Sequence, residues 1–140
     1  MSRGYECEKN LEVGDNFQVG DILVGKTHMY RTVTYWYKVV RKTKKRLMLK
    51  QLDVSYPTQY MSNTPGDACM PVIEKDGKYM CYAGFPYWSG HMEYAEVQAS
   101  VERYRFDTEK PWTIAASILG DEYAPSLTKW NGEPGWVNCD

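Results

Sequence analysis

The residues best suited to acid–base or nucleophilic chemistry are few and widely spaced in this 140-residue chain. They are two histidines and four cysteines: His28, His91, Cys7, Cys69, Cys81 and Cys139. Cys69 and His91 have the residue types of a nucleophile and its base, which need only be adjacent in space. Cys69, Cys81 and His91 have donor types that bind zinc, but structural zinc sites bring ligands in closely spaced pairs, and no CxxC occurs. The spacing therefore predicts no metal site, and a small thiol or histidine enzyme is the weakest of three hypotheses.

Motifs that hold a substrate or cofactor also find no support in the sequence. Neither histidine belongs to an HExxH motif, and neither a GxSxG nucleophile elbow nor GxGxxG occurs. Residues 20–27 match GxxxxGK[ST] in their letters, but Ile22-Leu23-Val24 begins a predicted strand, whereas a phosphate-binding loop of this type is a loop that opens a helix. We therefore expect a protein that is not an enzyme, carries no cofactor and works by binding.

Charge is distributed unevenly along the chain. Residues 22–52 hold nine basic and no acidic residues, whereas residues 1–21 hold five acids and two bases and residues 53–140 hold thirteen acids and six bases. Five of the bases lie close together: Arg41, Lys42, Lys44, Lys45 and Arg46. Such a cluster either contacts phosphates or an acidic protein face, or it keeps a projecting hairpin soluble and its edges unpaired. The acidic remainder argues against a general duplex binder.

The strongest structural signal is a β-hairpin that carries this basic cluster. Residues 32–40 are rich in β-branched and aromatic residues, and residues 46–52 alternate apolar and polar side chains, so both segments are predicted strands. Residues 41–45 are polar and short enough to form the loop between them. The basic cluster is therefore predicted to lie at a projecting tip.

Turn signals divide the rest of the chain into short segments. Asp76-Gly77 predicts a second hairpin, between residues 71–75 and 78–82, and Asn131-Gly132 is another hairpin signal. Residues 22–24, 93–106 and 113–119 are strand candidates, although 93–100 and 113–119 could instead form short helices. Residues 53–70 are predicted to form a long loop because prolines and a glycine interrupt them.

These elements predict a mainly β fold of five to seven short strands. We expect a small antiparallel curved sheet or partly closed barrel, SH3-like in size, with at most one short helix. The length suits one domain, which we place at residues 17–140 after a polar, acidic N-terminal arm at residues 1–16. No 18-residue apolar run and no signal peptide occur, so we expect no membrane segment and a cytoplasmic location.

Two parts of the sequence resemble a known family. Gly20-Asp21-Ile22-Leu23, Tyr30, Thr32, Tyr37, Val39-Val40, Thr43 and Lys45 match the pattern GDI[FL]…Y-x-T…[FY]Y-x-VV-x-x-[ST]-x-K, with Trp36 in place of its [FY], and Tyr123-Ala124 and Trp130-Asn131-Gly132-Glu133-Pro134 follow YA…W[DN]GxP. The chain is therefore similar to a family of small uncharacterised proteins of phages, plasmids and other mobile elements. The resemblance implies a bacterial host cell as the setting and no particular activity.

Two binding functions fit these observations. The first is a phage or mobile-element accessory protein that binds and inhibits a bacterial host factor, for example a counter-defence, anti-CRISPR-like inhibitor of a nucleic-acid-processing defence protein. The second is a nucleic-acid-binding β-barrel module that uses the basic hairpin 41–50. The candidate contact residues are Arg41, Lys42, Lys44, Lys45, Arg46, Tyr30, Trp36, Tyr87 and Trp88. For each aromatic residue, filling the core is the competing interpretation.

Overall fold

The chain folds into short β-strands. This is seen in a computed structural model, which describes residues 5–27, 33–55, 66–81 and 91–138. The strands are β1 (Glu6–Leu11), β2 (Ile22–Thr27), β3 (Val33–Lys42), β4 (Leu47–Gln51), β5 (Val54–Ser55), β6 (Gly66–Pro71), β7 (Ile73–Lys75), β8 (Lys78–Met80), β9 (Val97–Arg105), β10 (Thr113–Ile118), β11 (Thr128–Lys129) and β12 (Gly135–Asn138). The described residues contain no helix. The predicted mainly β fold is confirmed.

The largest sheet is antiparallel and curls into a half-barrel. Its strand order is β1-β9-β4-β3-β2-β11, and β10 also pairs with β9. The long strand β9 reaches β4 through residues 97–99 and β1 through residues 101–105. The curl brings β10 to the segment before β11, where Ala116 and Leu127 exchange two backbone hydrogen bonds of 2.8 and 2.9 Å. The result is the partly closed barrel that the sequence predicts.

The hairpins predicted for residues 32–52 and around Asp76-Gly77 are present. β3 and β4 pair around a tip at residues 43–46, where Thr43 N donates to Arg46 O at 2.8 Å and Arg46 N donates to Thr43 Oγ1 at 3.1 Å. β7 and β8 pair around Asp76-Gly77, and both turn residues have positive φ, at 53° and 76°. Two positive φ values are the requirement of the type I′ turn, which Asp-Gly meets at low cost.

The main core fills the inside of the half-barrel. It contains Leu23, Val39, Leu49, Val101 and other fully buried residues. Val13 and Phe17, which follow β1, are also buried in this core, each with 1% of its surface exposed. Large apolar side chains on successive strands thus remove the concave face from water, which is the main stabilising contribution in a domain of this size.

A second core covers the outer face of β2 and β3. Trp36 and Cys69 are fully buried there, with Val24 and Trp130 packed against them. The β12-β6-β5 sheet supplies Cys69 from β6 and Val54 from β5. Because both faces of β2 and β3 are covered, these strands have apolar side chains on both sides instead of a simple alternation.

The Trp130–Pro134 segment is a turn that anchors this second core. Trp130 packs edge-on against Trp36, with ring centroids 6.3 Å apart, and its Nε1 donates to Glu133 O at 2.7 Å. Asn131 Oδ1 accepts from Glu133 N at 2.9 Å, and Gly132 has a φ of 89°. The residues of the W[DN]GxP signature therefore have structural roles in this chain.

Three predictions about individual segments are wrong. Residues 6–11 pair with β9, so the part of the acidic arm that the structure describes belongs to the sheet and to its core. The Asn131-Gly132 turn does not form a hairpin, because β11 pairs with β2 and β12 pairs with β6. Residues 54–55 and 66–70 of the predicted long loop lie in strands, and 56–65 are outside the described residues.

In the part of the chain that the structure describes, no helix is long and apolar enough to cross a membrane.

Candidate functional site

The basic cluster lies at the β3–β4 tip as predicted, but acidic groups of the same chain meet several of its charges. Arg41 donates from Nε and Nη2 to the two carboxylate oxygens of Glu96, at 3.2 and 3.0 Å. This bidentate pair raises the pKa of Arg41 and lowers the pKa of Glu96, in each case mainly through the hydrogen bonds. Lys44 Nζ lies 3.4 Å from Glu12 Oε1. Two of the five charges therefore have a carboxylate partner.

Lys42 is a structural cross-link rather than an exposed cation. Its ammonium donates to Gly14 O at 3.1 Å, Phe17 O at 3.1 Å and Gln18 Oε1 at 3.2 Å. The three donor protons of an ammonium are thereby all used. Lys42 thus ties the tip hairpin to the loop that carries Phe17 into the main core.

The last two basic residues of the cluster differ from each other. Arg46 is half-buried and donates from Nη1 to Lys45 O at 2.8 Å. Lys45 is exposed and has no side-chain ion pair or hydrogen bond with any residue in the described ranges. Of the five basic side chains at the tip, two thus pair with carboxylates, two donate to neutral oxygens, and Lys45 alone has no contact of either kind within the described residues.

The predicted aromatic contact residues do not join this tip. Trp36 is fully buried in the second core, so in this structure it contributes no surface to a partner. Tyr30, Tyr87 and Trp88 lie outside the described residues.

A different group of aromatic residues is exposed at the start of β1 and the end of β9. Tyr5 and Phe106 have 62% and 70% of their surface exposed, and Tyr104 is half-buried between them. The ring centroids are 5.3 Å apart for Tyr5–Phe106, 5.6 Å for Tyr104–Phe106 and 6.4 Å for Tyr5–Tyr104. We call these three residues the aromatic face. A hydrogen bond with the Cys7 side chain raises the pKa of Tyr5.

The opposite side of the same strands carries ion pairs and a tryptophan. Arg103 and Arg105 each place their guanidinium carbon 4.4 Å from the Trp112 ring centroid. Arg103 also donates to Glu8 Oε2, and Arg105 Nη2 donates to Glu6 Oε2 at 3.3 Å. Both arginines are thus bound within the chain. The aromatic face and its reverse side form a ribbon end rich in Tyr, Trp and Arg, the residue types that contribute most to protein–protein affinity.

A cleft lies between the outer face of β3–β4 and the β7–β8 hairpin. Its water-accessible volume is about 380 Å³, within the range of small-molecule sites. Lys38 and Lys50 lie opposite each other in the β3–β4 register and both line it. Tyr79 and His91 line the other side. We call this space the lysine cleft.

His91 lies between two carboxylates at the wall of the lysine cleft. Its Nδ1 is 3.1 Å from Oδ2 of Asp53, and its Nε2 is 3.4 Å from Oε1 of Glu93. Asp53 is buried, and the same Oδ2 accepts a hydrogen bond from Met92 N at 3.0 Å. Tyr79 stacks on the imidazole with ring centroids 3.8 Å apart. Desolvation raises the pKa of Tyr79, and the charges of Glu74, Glu93 and Asp53 raise it further.

The cysteines are separate from this histidine contact. Cys69 is fully buried beside Trp36 in the second core, so a nucleophilic role with His91 has no support. Cys7, Cys69 and Cys81 form no disulfide within the described ranges, and no group of three or more His, Cys, Asp or Glu side chains there is arranged to hold a metal ion. His28 and Cys139 lie outside them.

The sequence contained a signal for the aromatic face that charge analysis overlooked. Residues 102–106 read Glu-Arg-Tyr-Arg-Phe, so arginine and aromatic residues alternate along a predicted strand. Alternation at period two sends the arginines to one side and the rings to the other. The lysine cleft had no such signal, because Lys38, Asp53, Tyr79 and His91 are brought together only by the fold.

No protein-family model, no curated protein and no solved structure matches this chain.

Proposed function

We propose that this protein is an accessory protein of a phage or other mobile element that binds a bacterial host protein through the aromatic face and inhibits it. The observation that carries the proposal is the contiguous arrangement of Tyr5, Tyr104 and Phe106, of which Tyr5 and Phe106 are more than half exposed. Contiguous exposed apolar patches mark interaction sites, whereas singly scattered apolar residues need no such explanation. The bacterial cytoplasm as the setting rests on the family resemblance.

The chemistry around the aromatic face favours a protein partner over nucleic acid. Binding to a phosphate backbone needs basic side chains that can release counterions. The nearest arginines, Arg103 and Arg105, are held by Glu8 and Glu6 and by Trp112. Rings without free cations match an apolar depression on a protein, which they fill while excluding water. We therefore infer a partner with an apolar pocket at the surface that is inhibited.

Side-chain insertion, rather than strand addition, is the docking mode that suits this end of the sheet. β1 pairs only with β9 within the described residues, so its other edge is open. That edge carries Glu6, Glu8 and Lys9, and Asn10 has a left-handed φ of 57° where the register shifts. Charges and bulges of this kind discourage an added strand.

Affinity capture from a bacterial host lysate tests the proposal. The full chain is immobilised, and the lysate is applied with and without nuclease treatment. We expect one protein to be retained in both conditions, and retention to fall at least tenfold for Phe106→Ser, because truncation of a central aromatic contact costs about 2 kcal/mol or more.

Tyr123→Ser is the matched control, because Tyr123 is 68% exposed and makes no ring contact within the described residues. Its capture yield should equal that of the wild type, and both variants should unfold within about 0.5 kcal/mol of it. Equal losses in both variants, or loss of every retained protein after nuclease treatment, would contradict a protein-binding aromatic face. The second result would favour the nucleic-acid-binding alternative.

A further inference from the structure

We propose that the lysine cleft is a binding site for a nucleotide, with the phosphate at Lys38 and Lys50 and the planar base against the wall that Tyr79 and His91 form. The site is distinct from the aromatic face, and the inference does not depend on the proposed function. No local sequence motif links its four residues, which come from separate segments.

The two lysines that line the cleft lie side by side, and only one of them has an ion-pair partner within the described residues. They face each other directly across β3 and β4 and point to the same side of the sheet. Like charges at directly opposite positions destabilise a sheet. Lys50 has one partner, with its Nζ 3.6 Å from Glu93 Oε2, whereas Lys38 has no ion pair in the described part of the chain. A phosphate between the two ammonium groups would relieve this repulsion.

The opposite wall presents stacked rings held in a fixed position. Tyr79 and His91 are nearly parallel, with an angle of 10° between their planes. The buried carboxylate of Asp53 accepts from Met92 N and lies against His91 Nδ1, which anchors the segment carrying the imidazole. Because the two rings stack on each other, a planar ligand can stack only on an outer face of this pair, and a fixed ring face reduces the entropy that is lost when such a ligand binds. Nucleobases stack on such side chains whatever their sequence.

The lining also includes apolar surface, which suits an uncharged body between phosphate and base, and one further carboxylate, that of Glu74. Ile22, Val40, Leu52 and Val72 provide apolar surface on the floor and sides. With a water-accessible volume of about 380 Å³, the cleft is large enough for one small organic molecule. A free inorganic anion would leave this apolar surface without a partner.

Glu93 provides a way to separate this proposal from a purely structural role of the charges. Its carboxylate contacts both Lys50 and His91 in the free protein, so it competes with an incoming phosphate. Removing the charge of Glu93 should therefore strengthen nucleotide binding. If Glu93 served only to hold the fold of the cleft, the same change should weaken nucleotide binding.

Isothermal titration calorimetry of the full chain with the four ribonucleoside 5′-monophosphates tests the proposal. At least one of them should bind saturably at millimolar concentrations or below, and its nucleoside and inorganic phosphate should each bind more weakly. Lys38→Ala should weaken the binding about tenfold or more, since a charge-assisted contact is lost. Glu93→Gln should strengthen it by up to about fivefold.

Lys45→Ala is the matched control, because Lys45 is a basic side chain without a partner in the described residues and lies at the tip. Its affinity should equal that of the wild type. Absence of binding for all four nucleotides, equal binding of nucleotide and nucleoside, or equal losses in Lys38→Ala and Lys45→Ala would each overturn the assignment. Because the cleft and the aromatic face are tested with different probes, failure of one leaves the other intact.

Discussion

The β3–β4 tip and the aromatic face differ in how completely the chain itself occupies their side chains. At the tip, Arg41 is paired with Glu96, Lys44 with Glu12, and Lys42 with three oxygen acceptors. At the aromatic face, Tyr5 and Phe106 remain more than half exposed. The tip holds the protein together, whereas the aromatic face has apolar surface left for a partner.

The comparison shows that charge segregated along a sequence can be neutralised in the fold. The acidic segment at residues 6–21 supplies partners to basic residues from three other parts of the chain. Glu6 and Glu8 meet β9, Glu12 meets the tip, and Asp21 lies 3.6 Å from Lys129. When a small protein has one acidic and one basic segment, contacts between the two segments are therefore the first interpretation to consider, and a binding surface is the second.

The largest effect on stability should come from the tip. Lys42→Met removes three hydrogen bonds and leaves Gly14 O and Phe17 O without their partner. We expect the free energy of unfolding in urea to fall by about 2–3 kcal/mol. Lys45→Met is the control and should change it by less than about 0.5 kcal/mol. Equal, small effects of both substitutions would mean that Lys42 does not anchor the loop.

Acid should weaken the carboxylate–arginine ion pairs at both regions. The resulting loss of unfolding free energy should be smaller than the loss in Lys42→Met. Hydrogen bonds from arginine lower the pKa of Glu96 and of Glu8 below the ordinary value of 4.5. A carboxylate whose pKa is lower in the folded than in the unfolded state stabilises the folded state above pH 4.5. This stabilisation is lost as the pH falls through the pKa of the folded state. Unfolding free energy measured against pH should therefore decline less steeply below pH 4.5 in Glu96→Gln and Glu8→Gln than in the wild type.

Glu122→Gln is the control for this pH dependence, because Glu122 is exposed and has no ion pair in the described ranges. Its curve should run parallel to that of the wild type. If the unfolding free energy of all three variants fell with pH as steeply as that of the wild type, the carboxylate–arginine contacts would contribute nothing to acid stability.

The smallest effect should be on nucleic-acid binding. Each phosphate contact that is lost lowers the slope of log affinity against log salt by about one. Because Lys44 is paired with Glu12, Lys44→Glu with Lys45→Glu should leave any weak binding of single-stranded RNA and its salt slope nearly unchanged. A collapse of affinity together with a slope reduced by about two would instead make the tip a nucleic-acid contact surface.

Sequence reasoning predicted the parts of the fold that depend on local chemistry. The Asp76-Gly77 turn, the alternating strands of the first hairpin and the mainly β architecture follow from backbone preferences within a few residues. Asn131-Gly132 shows the limit of this reasoning. Its turn forms with the expected positive φ at Gly132, but packing of Trp130 on Trp36 sends the two flanking segments to different partner strands.

The functional surfaces were harder to predict from the sequence because they depend on contacts between distant segments. The identity of residues 41–46 is visible in the sequence, but the carboxylates that meet them come from positions 12 and 96. Trp36 lies in a strand whose two faces are both covered, so its aromatic character gave no information about exposure. The lysine cleft combines residues 38, 50, 79 and 91, which no local pattern links.

Side-chain footprinting of the protein bound to its captured partner tests the central claim most directly. Hydroxyl radicals report the exposure of aromatic rings, and acetylation reports the exposure of lysines. We predict strong protection of Tyr5, Tyr104 and Phe106 in the complex, with Lys44 and Lys45 acetylated as in the free protein. Protection of the two lysines with unchanged oxidation of the three rings would contradict the account.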